Sequence, residues 1–218
     1  MPKKKFVIFD FDHTLINGDS ILIAAYFASN KFNIFFRFLK IIPYLILFKL
    51  SLINSKRFKE IFLENFKICD YFNGNNTSNY QKKIKKILNS KAIKRIKMHK
   101  ANNDIIILCS ASPFIFISEI ASFLKVHLIC TELYKKNDKY YPKIKGKNCN
   151  GYEKVVRIKK FLGEIDNFSL EVYGDSLGDK ELLDLADIPH YRSFDNLIKN
   201  YPKKINLRSF FRRKFTKG

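Results

Sequence analysis

Three observations predict an α/β fold, a Rossmann-like parallel sheet covered by helices on both faces and interrupted by an all-helical insertion. Three short apolar runs, KFVIF at 5–9, DIIILC at 104–109 and SLEVY at 169–173, are continuous rather than alternating, as strands buried on both faces require. Helical patterns at 113–125, 151–162 and 178–186 alternate with these runs, the rhythm of a parallel βα sheet. Between the first and second strands, residues 18–80 carry no strand pattern but long apolar-aromatic helical ones, so an insertion interrupts the sheet.

The elements then follow in order. The strand at 5–9 opens the sheet, and the insertion runs to NGNNTSN at 73–79, a Gly- and Asn-rich return loop. Residues 80–101, with Ile84, Ile87, Leu88 and Ile96 among lysines, read as one amphipathic helix feeding the second strand. KKNDK, inside 131–150, reads as a hairpin turn. The expected division is a core of 1–17 with 81–200, a helical cap at 18–80 and a basic tail at 201–218. A chain of 218 residues suits one core plus such an insertion, and no internal repeat is visible.

Composition narrows the class. Lys and Arg number 41 against 20 Asp and Glu, a formal net charge of +21. That excess suits nucleic acid, anionic lipid or an anionic substrate, although heavy use of Lys, Asn, Ile, Phe and Tyr also has a bland origin in AT-rich coding. Cys69, Cys109, Cys130 and Cys149 form no C-x-x-C pair, which argues against a zinc ribbon or a thioredoxin-like site and for a reduced, cytoplasmic chain. PKKKFVIFDFD lacks the apolar leader of a signal peptide. Residues 34–53 are long and greasy, but Arg37, Lys40, Pro43 and Lys49 interrupt them. A core-facing pair of cap helices and a segment lying at the inner face of an anionic membrane both fit.

Each strand ends in oxygen-bearing side chains. The first ends in Asp10-Phe11-Asp12-His13-Thr14, the second in Ser110-Ala111-Ser112, the third in Gly174-Asp175-Ser176-Leu177-Gly178-Asp179. Ligands of open parallel sheets bind at these carboxyl ends. Two carboxylates as close as Asp10 and Asp12 repel unless a proton or cation intervenes, and Mg²⁺ is the hard cation that oxygen sets hold. Metal-assisted phosphoryl transfer uses this combination. Asp10 is then the expected nucleophile and Asp12 the acid and base. Thr14, Ser110, Ala111 and Lys154 are the expected phosphate-binding positions, with Lys154 supplying fixed charge. Asp10, Asp12, Asp175 and Asp179 are the expected metal set.

D-x-D-x-T, then Ser, then Lys before a helix, then GDSxxD, in that order over residues 5–190, resembles the haloacid dehalogenase-type phosphohydrolase superfamily. The insertion after the first motif and NCNGYEKVVRI resemble its phosphoserine phosphatase-like subgroup. The resemblance implies a Mg²⁺-dependent phosphomonoesterase working through an aspartyl phosphate, on a phosphorylated small molecule such as a phosphoserine-like metabolite or on a lipid phosphate. It also implies cap residues that read the substrate, with Asp19 in the place of an acidic residue that meets an amine and Arg57 in that of an arginine that meets a carboxylate. Ser110-Ala111-Ser112 departs from the subgroup's Ser followed by two glycines, and His13 replaces a small residue.

Other classes remain as alternatives. A phosphotransferase, or a phosphate-binding signalling member of the same fold without turnover, would use the same residues. A phosphoacceptor receiver domain shares the chemistry but places its Lys last, and no G-x-x-x-x-G-K-[ST] is present for a nucleotide P-loop. The basic stretch at 80–100 lacks the interleaved aromatics of a nucleic-acid surface. His99, His127 and His190 fit no ligand spacing and read as structural or surface residues, and Cys109 and Cys130 as core.

Overall fold

β1 (Lys4–Phe9) is followed by α1 (Ser20–Ala28), α2 (Lys31–Lys49), α3 (Ser55–Asn65), α4 (Ile68–Asn73) and α5 (Ser78–Lys86). α6 (Ser90–Ala101) then leads into β2 (Ile105–Pro113), and α7 (Phe114–Leu124) connects β2 to β3 (His127–Thr131). A hairpin of β4 (Leu133–Lys136) and β5 (Lys139–Ile144) precedes α8 (Tyr152–Leu162), β6 (Phe168–Gly174), α9 (Lys180–Leu185) and β7 (Ile188–Tyr191). This is a computed structural model, and it describes residues 4–74, 77–163 and 168–194. The basic segment expected at 201–218 and the end of the expected core at 195–200 lie outside the described residues.

The sheet is parallel throughout, in the order β3-β2-β1-β6-β7. β1 alternates between two buried layers, which is why its sequence is apolar without a break. Phe6 and Ile8 pack with Val155 and Ile158 of α8 and Leu182 of α9. Val7 and Phe9 pack into the opposite layer with Ile96 of α6 and Ile120 and Leu124 of α7. Each such buried side chain contributes about 1.5–3 kcal/mol relative to exposure. The register sets Phe9 beside both Leu108 and Tyr173. Asp10, Ser110 and Asp175 therefore all fall within two residues of one level, at the same end of the sheet.

Short polar side chains start the helices. Asp19, Asn30, Asn54 and Asn89 each stand at a helix N-terminus, and each side-chain oxygen accepts from backbone N–H groups of the first turn. Asn89 overturns the expectation of one helix across 80–101. Its Oδ1 accepts from the backbone of Lys91 and Ala92 at 3.0 and 3.3 Å. The loop after β1 claims the backbone just before it: Asn17 N–H donates to the Ile87 carbonyl and Asn89 N–H to the Leu15 carbonyl, each at 2.9 Å. Capping and this tertiary pairing together outweigh the helical propensity of a lysine-rich run.

All described elements of 18–80 are helices. The hairpin turns at Asn137 and Asp138, both with positive φ (48° and 58°), as a two-residue primed turn needs. It leans on α3 and α4: Asn73 exchanges two side-chain hydrogen bonds with the Tyr140 backbone, and the Ile144 N–H donates to Glu60 at 2.9 Å.

The histidines behave as structural or surface groups. His99 is buried and bonds Asp104 at 2.8 Å. His190 bonds Glu171 at 2.8 Å, and His127 packs on Phe161 at the sheet edge. Burial would raise the Glu171 carboxyl, but Lys5, Tyr173 and His190 outweigh it and hold it down at about 2. All four cysteines are buried and free.

Candidate active site

β1 delivers Asp10 to the middle of the sheet's carboxyl end, where its N–H donates to the Tyr173 carbonyl of β6 at 2.9 Å. Across from it, the first turns of α8 bring in Lys154, which is only 2% exposed. Its Nζ donates to Asp10 Oδ1 at 2.6 Å and to Asp179 Oδ1 at 2.5 Å. Asp179 Oδ2 accepts from the N–H groups of Asp175 and Ser176 and from Ser176 Oγ. Two glycines permit this approach. A Cβ on Gly174 would lie 2.7 Å from Asp179 Cβ, and one on Gly178 would lie 2.1 Å from Asn150 Oδ1. The Gly151 N–H donates to the Gly178 carbonyl at 2.9 Å, tying the start of α8 to the loop after β6.

Among the described residues, Asp10, Asp175 and Asp179 form the carboxylate group that can share a cation, with one ligand oxygen from each lying within 4.8 Å of the others. Charge in this group is unbalanced. Burial, together with Asp179 and Asp12, pushes the Asp10 carboxyl well above its ordinary range despite Lys154. Burial and Asp179 push Asp175 up to about 6, against the pull of His13 and Arg192. Burial works against Asp179 too, but Lys154 and the Ser176 donors hold it below the usual range. Burial lowers the Lys154 ammonium, and Asp10 and Asp179 more than reverse this, so it stays charged. An all-oxygen set with more negative charge than one lysine can neutralise fits a hard divalent cation such as Mg²⁺.

The Asp12 carboxylate stands outside that group of three. It accepts from the Ser20 N–H at 2.7 Å, Ser20 Oγ at 3.1 Å and Ser112 Oγ at 2.5 Å. Burial and nearby Asp19 raise its carboxyl against these donors, which favours a proton on Asp12. Ser20 opens α1 and Ser112 ends β2, so the cap entrance and the second strand together orient this group.

The remaining expected positions fall as follows. Thr14 is buried, and its Oγ1 has no hydrogen-bond partner among the described residues, an orphan hydroxyl of the kind a phosphate oxygen satisfies. Ser110 is buried with its Oγ accepting from the Ser112 N–H at 3.0 Å. The Ala111 carbonyl accepts from Lys59 Nζ at 2.5 Å. His13 takes a left-handed turn (φ 55°), and its N–H donates to the Gly18 carbonyl at 3.1 Å.

The two cap positions fall as follows. Asp19 Oδ1 is the α1 cap, accepting from Ile21 and Leu22 N–H at 3.0 and 3.2 Å. Arg57, on the exposed flank of α3, has a 61% exposed side chain and points toward Glu60, 3.9 Å away. Two residues on, the helix turns Lys59 inward instead. Lys59 Nζ bonds Ala111 O and Asn148 Oδ1, the latter at 2.8 Å. Burial lowers its ammonium to about 8, with Asp12 opposing. No sequence signal separates Lys59 from the other basic residues of so basic a chain, whereas Asn148 lies in NCNG, beside the motif that carries Lys154. Arg192, also unanticipated, donates from Nε to the Asp175 carbonyl at 2.9 Å.

The sequence profile described as haloacid dehalogenase-like hydrolase matches residues 7–184. Protein CicA of Caulobacter vibrioides is 32% identical over 97 residues, which is 44% of this chain and 43% of CicA, so the match spans under half of that relative's length. Among solved structures, a protein of unknown function from Bordetella pertussis Tohama I superposes with a TM-score of 0.69 at 20% identity, covering 97% of this chain and 96% of its own. A phosphoserine phosphatase held as a phospho-aspartyl intermediate analogue superposes with a TM-score of 0.61 at 19% identity, covering 97% and 99%. At these identities the structural likeness speaks for the fold. The family profile covers most of the chain, and the chain belongs to the haloacid dehalogenase-like hydrolase family.

Proposed function

We propose that the protein is a magnesium-dependent phosphomonoesterase working through a phosphorylated Asp10. One observation carries the reading: a single buried lysine, Lys154, bonds both Asp10 and Asp179 at the strand ends, beside Asp175. Among the described residues, Asp10 Oδ2 takes no hydrogen bond, so it is the oxygen left to attack phosphorus. That attack breaks the P–O ester bond, and Asp12 gives its proton to the leaving oxygen. Water then attacks phosphorus, Asp12 takes back a proton, and the bond to Asp10 breaks to release phosphate. Lys154, the Thr14 hydroxyl and the Ser110 region hold the phosphoryl oxygens meanwhile. Asp10 and Asp175 would hold the metal, with Asp179 committed to Lys154 and Ser176. When bound, the ion supplies positive charge to the phosphoryl group and lets both carboxylates stay ionised. The unit that covers this floor is the helical insertion 18–80, and the expected substrate is a phosphorylated small molecule, phosphoserine-like, or a lipid phosphate.

Turnover of an aryl phosphate in magnesium, lost in excess chelator and restored by added magnesium, is the expected result. Phosphate binding without turnover in magnesium would instead identify a non-catalytic member of the fold, and transfer to an added alcohol in place of water would identify a phosphotransferase.

Lys59 marks the substrate. A cation held between Ala111 O and Asn148 suits a phosphomonoester whose other end is anionic. Lys59→Met is expected to raise KM for phosphoserine by about tenfold or more, the size of a charge-assisted hydrogen bond, and to raise KM less for an aryl phosphate with no anionic group beyond the phosphate. Because burial lowers Lys59 to about 8, the cation is present below that pH and lost above it. KM for the anionic substrate therefore rises as pH passes about 8, and Lys59→Arg removes that rise. Equal KM changes for both substrates would remove Lys59 from substrate recognition.

A further inference from the structure

α2 is apolar around most of its circumference, yet one stripe of it is covered. Ile41 is buried, Arg37 Nη1 donates to the Asn65 carbonyl at 3.0 Å, and Phe48 stacks on Phe58 with centroids 5.0 Å apart. The opposite stripe, Phe35, Leu39, Ile42 and Ile46, steps by four, three and four residues, which is one helix face. These side chains are 62%, 46%, 45% and 54% exposed. Tyr26 on α1 and Leu50 and Leu52 beyond α2 are exposed as well. At 1.5 Å per residue the stripe from Phe35 to Ile46 is about 17 Å long. An open apolar face of that length marks an interaction surface rather than ordinary scatter.

Charge identifies what covers it. Exposed Lys40 and Lys49 share α2 with the apolar face, and the chain carries no carboxylate between Asp19 and Glu60. A second copy would press two such basic faces together, each on a chain of net charge +21, and repulsion opposes that pairing. An anionic bilayer satisfies both features at once. Apolar side chains enter the acyl boundary, while Lys40 and Lys49, both exposed, reach back to the headgroups. No helix among the described residues is long and apolar enough to cross a membrane, so the contact lies along the surface. We propose that α2 lies flat in the headgroup region of an anionic membrane, its Phe35–Ile46 face inward.

This proposal does not depend on hydrolysis, and its test reads binding alone. The full chain is sedimented with phosphatidylcholine vesicles, with and without about one-third phosphatidylglycerol. That lipid is a phosphodiester, so its capture does not require the monoesterase site. The parent is expected to pellet with the anionic vesicles and to be released by high salt. Leu39→Glu with Ile42→Glu weakens binding by about tenfold or more, with circular dichroism and urea midpoint checking that the variant is folded. Lys40→Ala with Lys49→Ala leaves the apolar face intact and weakens binding about fivefold per lysine. A parent that stays in the supernatant, or variants that pellet as the parent does, overturns the proposal. So does a parent that is a dimer in solution and is split by the Glu pair, which would assign the face to a second copy.

Discussion

Asp10→Asn is expected to lower turnover of an aryl phosphate by at least about three orders of magnitude, because the amide cannot carry the phosphoryl group. The fold should not suffer. Asp10 sits where burial and neighbouring carboxylates raise its pKa, so ionising it costs more in the folded chain than in the unfolded one. A neutral isostere removes that penalty while Lys154 keeps Asp179 as a partner at 2.5 Å. Thermal midpoint equal to or above the parent's, with no acid-labile phosphate trapped on the protein, is the expected pair of readouts. Activity within tenfold of the parent would move the nucleophile elsewhere.

Lys154→Met should affect both stability and rate. Lys154 is buried and bonds two buried carboxylates. Its removal leaves both without a cation, and breaking one partner out of a buried ion cluster costs about 3–5 kcal/mol. Loss of the fixed charge beside the phosphoryl group costs about 100-fold or more in rate. Urea unfolding and steady-state kinetics separate the two effects. Adding Asp179→Asn should recover a large part of the stability, since the pair is coupled, and none of the rate. A Lys154→Met protein as stable as the parent would show that the carboxylates find their counter-charge elsewhere.

The order of motifs was legible because strands of a parallel sheet announce themselves as unbroken apolar runs, and each run here ends in the residue that bears the chemistry. Asp10, Ser110 and Asp175 could be named from that pattern, whereas Lys154, one lysine among many on a helix, was singled out by its place in the family's motif order. The grouping of the carboxylates was legible only in outline. Asp12 is two residues from Asp10, but successive residues leaving a strand diverge, and Ser20 and Ser112 draw its carboxylate away from the other three. Nothing near Asp12 in the chain announces Ser112, one hundred residues on.

The cap was the least readable part. Arg57 and Lys59 lie on one helix two residues apart, about 200° around its axis, so one faces solvent when the other faces the strand ends. Their identities could not say which. The helix break at Asn89 had a local signal in its capping side chain, but the pairing with Asn17 and Leu15 that fixes it comes from a distant loop.

By itself, the sequence determined the α/β class, the strands and the acidic strand ends, since these follow from short-range periodicity and from residue types whose chemistry is narrow. The tertiary structure alone decided which carboxylates face one another, which cap lysine enters the site and which face of α2 stays uncovered. Those outcomes depend on rotation about helix axes and on register between segments far apart in the chain, and neither is encoded by neighbouring residues.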